Sequence, residues 1–344
     1  MAIPSVATSI AAFVGLAPQG PEDEPVLIQS AGQFAGVFGA TQTDHGLASA
    51  VQQFFANGGT EAYVTRTRAD LPGSRSNRTG IYALDRVERF NLLCLLPPQG
   101  GCGIKCVTWR DAAAYCLERR AMLLIDPPSS WTSAGAALVG VESLPRSPNA
   151  AVFFPSGSLC GAIAGLMART DANQGVWKPA AGIDATLVGI GELGTALSIA
   201  EVEELNASGV NCLRSFPQHP VVVWGARTLA RPDSAEYQYI PVRRLALFLE
   251  ASVFEGLQWV VFEPNAEPLW AQIRVAVRDF LGELFRKGAF QGATPNQAYF
   301  VRCDEQTTTQ ADIENGRLNI VVGFAPLRPA EFVIVTITQL MCLK

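Results

Sequence analysis

Short, unbroken apolar runs alternate with helical periodicity through the first half of this chain, and that alternation restricts the folds open to it. Asn91 to Leu96 (NLLCLL) and Ala121 to Asp126 (AMLLID) lack the every-second-residue polarity of a strand with one wet face. Strands apolar on both faces belong to parallel or mixed sheets covered by helices on both sides. Helices fit the segments that precede the two runs, at Ala83 to Val87 and near Thr108 to Arg120. The expected fold class is therefore α/β with α+β mixing, a mixed β-sheet flanked by helices.

The remaining segments extend this pattern. An apolar arm over residues 1 to 12 leads into a strand at Ala12 to Leu16 and a Pro/Gly turn at Ala17 to Pro21. The spacing of Phe34, Val37, Phe38, Leu47, Val51, Phe54 and Phe55 predicts two helices separated by a loop at Gly39 to Gly46. Asn57-Gly58-Gly59 stops the second, and Ala62 to Thr67 returns as a strand. Residues 68 to 80 are polar and form an exposed loop. The uncharged run from Ser147 to Ala168 is interrupted by Pro148, Pro155 and several Gly and Ser residues, so it reads as a buried strand-turn-helix and not as a membrane span. Beyond Gln218 the spacing predicts strands at Val221 to Trp224 and Gln258 to Phe262 around a helix at Val242 to Leu257. A helix from Glu267 to Lys287 has Pro268 in its first turn and one apolar face of Trp270, Ile273, Val277, Phe280, Leu281 and Leu284. Strands at Ala298 to Arg302 and Leu318 to Phe324 precede the β-prone Glu331 to Leu340, which has no evident hairpin partner.

Composition narrows the function. With 344 residues and 49% hydrophobic content the chain can fill one large or two modest cores. A net charge of −5, with only 17% charged residues, argues against a nucleic-acid binder, which needs a concentrated Lys/Arg surface. So apolar a subunit suits a surface covered by neighbours. The N-terminal MAIPSVATSIAAFVGLA lacks a basic residue ahead of its apolar part, so no signal peptide is expected. The eight cysteines sit at irregular spacing, mostly among apolar neighbours, as reduced thiols do, and cytoplasmic synthesis is expected.

Motifs for chemistry are weak. Gly189 to Gly194 (GIGELG) spells G-x-G-x-x-G after an apolar run and ahead of a possible helix, where such glycines admit a pyrophosphate. The ribose-binding acid about 20 residues on is missing, since no Asp or Glu lies between Asn206 and Arg231. Of the two histidines, His45 and His219, neither has a G-x-S-x-G elbow to serve. Cys102 and Cys106 form a C-x3-C with no second ligand pair. The acidic cluster Asp304, Glu305, Asp312 and Glu314 lacks the glycine and spacing of a calcium loop. A soluble α/β nucleotide-binding enzyme built on the Gly189 to Gly194 turn stands as the alternative reading, with no cofactor or metal expected otherwise.

Long segments point elsewhere. WGARTL (Trp224 to Leu229), RRLALFLEASVFEGLQWVVFEPN (Arg243 to Asn265) and TTTQADIENGRLNIVVGFAPLRPAEFVIVTITQL (Thr307 to Leu340) resemble the C-terminal core of contractile tail sheath proteins. VGLAPQGP (Val14 to Pro21), Asn57 to Val64, ALDRVERFNLLCLL (Ala83 to Leu96), AAAYCLERRAMLLIDPP (Ala112 to Pro128) and ARTDANQGVWKPAAGI (Ala168 to Ile183) follow in the family's order. The chain is most similar to the short sheath subunits of phage-like extracellular injection systems. The resemblance implies a non-enzymatic structural subunit that polymerises helically around an inner tube and contracts. Its partners would be further copies of itself, the tube protein, and baseplate and cap or terminator proteins, with no nucleic acid and no membrane insertion. It would be assembled into a phage-tail-like particle, held in the cytoplasm or released.

The resemblance also divides the chain into an N-terminal arm and first strand (1–20), a sheath core (21–95 and 206–330), an inserted α/β subdomain (96–205) and a terminal exchange strand (331–344). It implies that the two ends complete sheets in neighbouring subunits. The residues expected to do so are Ile3, Val6 and Ile10, and Phe332, Val333, Ile334, Val335, Ile337 and Leu340; a strand filling its own sheet is the plainer alternative. Two surfaces are candidates for the tube. One is the polar helix face with Arg274, Arg278 and Lys287; the other is Asp304, Glu305, Asp312 and Glu314. Either could equally be an ordinary solvated face.

Overall fold

A computed structural model describes residues 2–39, 46–97, 104–155, 157–191, 193–216, 219–231, 236–327 and 333–340. The chain forms two compact units, Ala7–Arg244 and a second comprising Met1–Val6 with Leu245–Lys344.

The larger unit is built on an eight-stranded sheet. Its elements are β1 (Ala11–Gly15), β2 (Val26–Ile28), α1 (Ala31–Phe38), α2 (Leu47–Ala56), β3 (Ala62–Arg66), β4 (Leu92–Leu95), α3 (Cys106–Glu118), β5 (Met122–Ile125), α4 (Ala134–Val141), β6 (Ala150–Phe154), α5 (Cys160–Gln174), α6 (Ile199–Ala207), β7 (Val210–Phe216) and β8 (His219–Trp224). The strand order is β2-β3-β1-β4-β5-β6-β7-β8, parallel from β3 through β7 and antiparallel at both ends. Every residue of β1, β4, β5 and β6 is buried, as strands with helices on both sides require. On one face Val14, Leu95, Ile125 and Phe154 join Trp109, Tyr115, Val141 and Leu205 in a single core cluster. The edge at β8 is covered by residues 182–187, through Gly182 N–H to Val223 O (2.8 Å), Val223 N–H to Ala185 O (3.0 Å) and Leu187 N–H to Val221 O (2.8 Å).

Helix α5 crosses very close to α2. A Cβ on Gly161 would lie 2.0 Å from the Ala50 carbonyl oxygen, and one on Gly165 would lie 2.3 Å from that of Phe54, so glycine is required for this approach. Asp126, after β5, caps the start of α5 by accepting from the N–H groups of Leu159 (2.8 Å) and Cys160 (3.0 Å).

The smaller unit holds the end of α7 (Ile240–Gly256), then α8 (Glu267–Arg286), α9 (Pro295–Ala298), β9 (Tyr299–Arg302), α10 (Gln310–Glu314), β10 (Arg317–Phe324) and β11 (Val333–Leu340). Its sheet runs β11-β10-β9, antiparallel throughout. The predicted apolar face of α8 is buried, with Ile273, Val277 and Leu281 fully so.

Several expectations differ from the structure. Gln258 to Phe262 is not a strand: Gln258–Val260 form a 3-10 turn, and Phe262 takes a left-handed φ of 78° with its side chain 69% exposed. An apolar run this short does not distinguish strand from turn. The helix expected at Ala83 to Val87 is a 3-10 helix, Gly80–Arg86. β11 does have a hairpin partner, pairing with β10 from Arg317↔Leu340 to Phe324↔Val333. By contact the chain divides after Val6 and after Arg244, and β4 to β7 are consecutive neighbours in one sheet.

Candidate assembly surfaces

The three-stranded sheet of the smaller unit ends in β11 as an edge strand. β11 pairs with β10 on one side over eight residues, and no described strand pairs with its other side. That leaves a long row of backbone donors and acceptors along an edge rich in β-branched residues, a surface suited to adding another strand. Val333, Ile334, Val335, Ile337 and Leu340 all lie in β11; Phe332 lies outside the described residues.

At the other end of the chain the expected exchange residues fall in two places. Ile3 is buried in the smaller unit, and the Val6 N–H donates to Ser252 Oγ at 3.3 Å. Ile10 belongs to the larger unit, where its N–H donates to Asn91 Oδ1 (2.9 Å) and its carbonyl accepts from the Asn91 N–H (2.8 Å), extending the β1 and β4 pairing.

Most of the residues proposed to face a tube are committed to local structure. Arg274 bridges Glu267 at 2.5 Å and donates to the Cys303 carbonyl, which ties α8 to the start of the acidic segment. The Glu267 carboxylate holds its guanidinium above its ordinary pKa. Asp304 accepts from the N–H groups of Gln306 (3.0 Å) and Thr307 (3.1 Å), closing a turn. Asp312 completes a capping box with Thr309 at the start of α10, and hydrogen bonds from Thr309 lower its pKa. Glu314 accepts from Gln310 Nε2 at 3.3 Å. Arg278, Lys287 and Glu305 are exposed, with no ion-pair partner among the described residues. The spacing of the acidic residues identified a cluster, but what separates capping from exposed carboxylates is turn geometry, which the Thr309-x-x-Asp312 spacing could have signalled at one position.

The features of an enzyme do not converge. Gly189, Gly191 and Gly194 lie in irregular backbone, where added Cβ atoms would meet nothing within 4 Å, and the next helix, α6, starts only at Ile199. Glu192 lies outside the described residues. The cavity beside this segment, about 330 Å³, is lined by Leu193, Thr195, Leu197, Leu213, Arg214 and Ser215, with no carboxylate for a ribose among the described residues. Cys106 is exposed at the start of α3, while Cys102 and His45 lie outside the described residues. Among the described residues no His, Cys, Asp and Glu group could hold a metal ion, and no helix is long and apolar enough to cross a membrane.

What the sequence missed is a buried polar clamp. Arg244 and Asp171 form an ion pair at 2.6 Å with each side chain only 5% exposed. Thr8 completes it, its hydroxyl donating to Asp171 at 2.6 Å and its carbonyl accepting from Arg244 at 2.9 Å. Partners 73 positions apart carry no local sequence signal.

Comparison with known proteins gives these surfaces a context. The phage tail sheath protein central domain matches residues 123–229, and the phage tail sheath C-terminal domain matches residues 233–339. Among solved structures, the contracted sheath complex of the extracellular contractile injection system PVC shares 27% identity at a TM-score of 0.81, covering 98% of this chain and 93% of that one. The contracted helical sheath of the anti-feeding prophage shares 29% identity at a TM-score of 0.78, with 98% and 95% covered. A sheath tail protein from Desulfitobacterium hafniense, 10% identical over 98% of each chain at a TM-score of 0.69, shares the fold. No curated protein sequence matches. Two adjoining sheath domains and similarity to injection-system sheaths along 98% of its length establish that this chain belongs to the contractile tail sheath family, as a structural sheath subunit and not as an enzyme.

Proposed function

We propose that the protein polymerises helically around an inner tube and contracts to drive that tube through a target envelope. The observation that carries this reading is the edge of β11, eight residues long, with which no described strand pairs. Exchanging this strand and the N-terminal arm between copies would link subunits by main-chain hydrogen bonds, with alternate side chains setting register. Contacts between unlike surfaces propagate into an open helix and do not close at a dimer. Rigid, close-packed subunits joined by such tethers can switch collectively between two packings, and the interface gained on contraction would supply the work.

The similar structures include an anti-feeding prophage baseplate as well as sheaths, so a baseplate is a natural anchor for this subunit. A cap or terminator would close the other end. Of the charged candidates, Arg278, Lys287 and Glu305 are left to grip a tube, since the others are held by their own chain. Polar contacts of this kind release more readily than a large apolar seal. Synthesis in the cytoplasm precedes assembly into the phage-tail-like particle.

Deletion of Phe332 to Lys344 tests the linkage. β9 and β10 keep their pairing in such a variant, so it should retain a cooperative unfolding transition yet form no polymer by sedimentation. Full-length cylinders from the truncated protein would exclude the terminal strand as the link.

A further inference from the structure

The end of β7 carries an arginine whose position is fixed by its neighbours. Cys212 pairs with Trp224 and Arg214 with Val222, but the register between β7 and β8 shifts before Phe216 pairs with His219. Pro220, which has no N–H to give to a ladder, lies in β8 at this shift. An irregularity of this kind re-aims side chains at the end of a strand pair. Here the Arg214 guanidinium sits over two rings at once, 4.9 Å from the centre of Phe216 and 5.6 Å from that of Trp224. The two rings are themselves 5.3 Å apart. Such stacking holds the flat face of the guanidinium and leaves its in-plane N–H groups to bond elsewhere.

Those N–H groups have no hydrogen-bond or ion-pair partner among the described residues, and neither has the Ser215 hydroxyl. Both residues line the cavity of about 330 Å³ described above, across from Leu193, Ala196 and Leu197. Thr195, also on its wall, is engaged by a long hydrogen bond to the Thr132 carbonyl (3.4 Å). No Asp or Glu stands among the described lining residues, so the cavity is cationic in a chain whose net charge is −5. Its volume falls at the small end of the roughly 300–1,000 Å³ that ligand sites occupy. It also lies at the carboxyl end of a strand parallel to β6, the end at which open α/β sheets take their ligands.

We propose that this cavity binds a carboxylate carried on a short apolar stem. The Arg214 fork takes the two oxygens side by side, a geometry that a guanidinium matches and an ammonium does not. Ser215 donates a further hydrogen bond, and Leu193, Ala196 and Leu197 cover the stem. Phe216 and Trp224 keep the guanidinium in place before the ligand arrives, which lowers the ordering cost of binding. Two sources present this chemistry: a free aliphatic acid, and an acidic side chain of a second copy of the chain.

The test titrates the full chain with isovalerate, and with isovaleramide as a neutral match of the same shape. Ligand-observed NMR should show saturable binding of isovalerate and none of the amide. Tryptophan fluorescence should change in parallel, and the change should vanish in Trp224→Phe. Arg214→Gln should weaken binding by about tenfold or more while the chain keeps a cooperative unfolding transition, and Arg214→Lys should not restore it. Polymerisation separates the two sources. If a second copy supplies the carboxylate, isovalerate competes with assembly and Arg214→Gln impairs it; if the ligand is a free acid, assembly is indifferent to both. Absence of saturable isovalerate binding, equal binding of the amide, or undiminished binding by a folded Arg214→Gln overturns the site. Binding is read on the unassembled chain, so each of these failures leaves the sheath reading untouched.

Discussion

Among single residues, Asp171 and Asp126 are buried carboxylates with opposite consequences for stability. Asp171 is matched by Arg244 and further satisfied by Thr8, so removing one partner strands a charge in the interior. Asp171→Ala should cost about 3–5 kcal/mol, whereas replacing both partners by apolar residues of similar volume should cost far less. Denaturant titration of the single and double variants measures the difference. Asp126 has no cationic partner among the groups that shift it: burial pushes its carboxyl pKa up, opposed by the hydrogen bonds at the start of α5. A pKa higher in the folded than in the unfolded state means that folding takes up a proton, so this group's stabilisation is complete below the unfolded carboxylate range and is lost as pH rises through the folded pKa. The stability of the wild type relative to Asp126→Asn should therefore grow as pH falls from neutral, and a difference flat in pH would contradict this.

Individual elements show how far their ends and faces were legible. The capping box at the start of α6, where Ser198 and Glu201 bond reciprocally, is a local device. Ser198→Ala should cost about 0.5–2 kcal/mol in thermal or denaturant unfolding. The strands β1, β4, β5 and β6 were readable because burial on both faces leaves an unbroken apolar run, and α8 because burial of one face leaves a helical period. Gln258 to Phe262 misled because a few apolar residues suit a strand or a tight turn, and only Phe262's left-handed backbone shows which was formed. The β10–β11 pairing was illegible for another reason: Pro326 and Pro329 lie between two runs that each look like an independent strand, and register is set by pairing rather than by either run. Of the candidate surfaces, the bonds of Ile10 to Asn91, positions 81 apart, were not legible in the sequence.

For the whole molecule, what matters is what its exposed groups do when copies meet. With Arg274, Asp304 and Asp312 engaged in their own unit, the tube reading rests on Arg278, Lys287 and Glu305. Arg278→Glu with Lys287→Glu should leave the subunit's stability within about 0.5 kcal/mol, since both side chains are exposed. It should also reduce the fraction of tube retained inside isolated sheaths, as pull-down would show; unchanged retention removes this face from consideration. The central claim is that the chain is a sheath subunit able to build an open helical array. Negative-stain electron microscopy of the purified protein, alone and co-expressed with its genomic neighbours, tests it most directly. Hollow cylinders or stacked rings of regular diameter are the predicted result, and monomers or small closed oligomers in both preparations would contradict it.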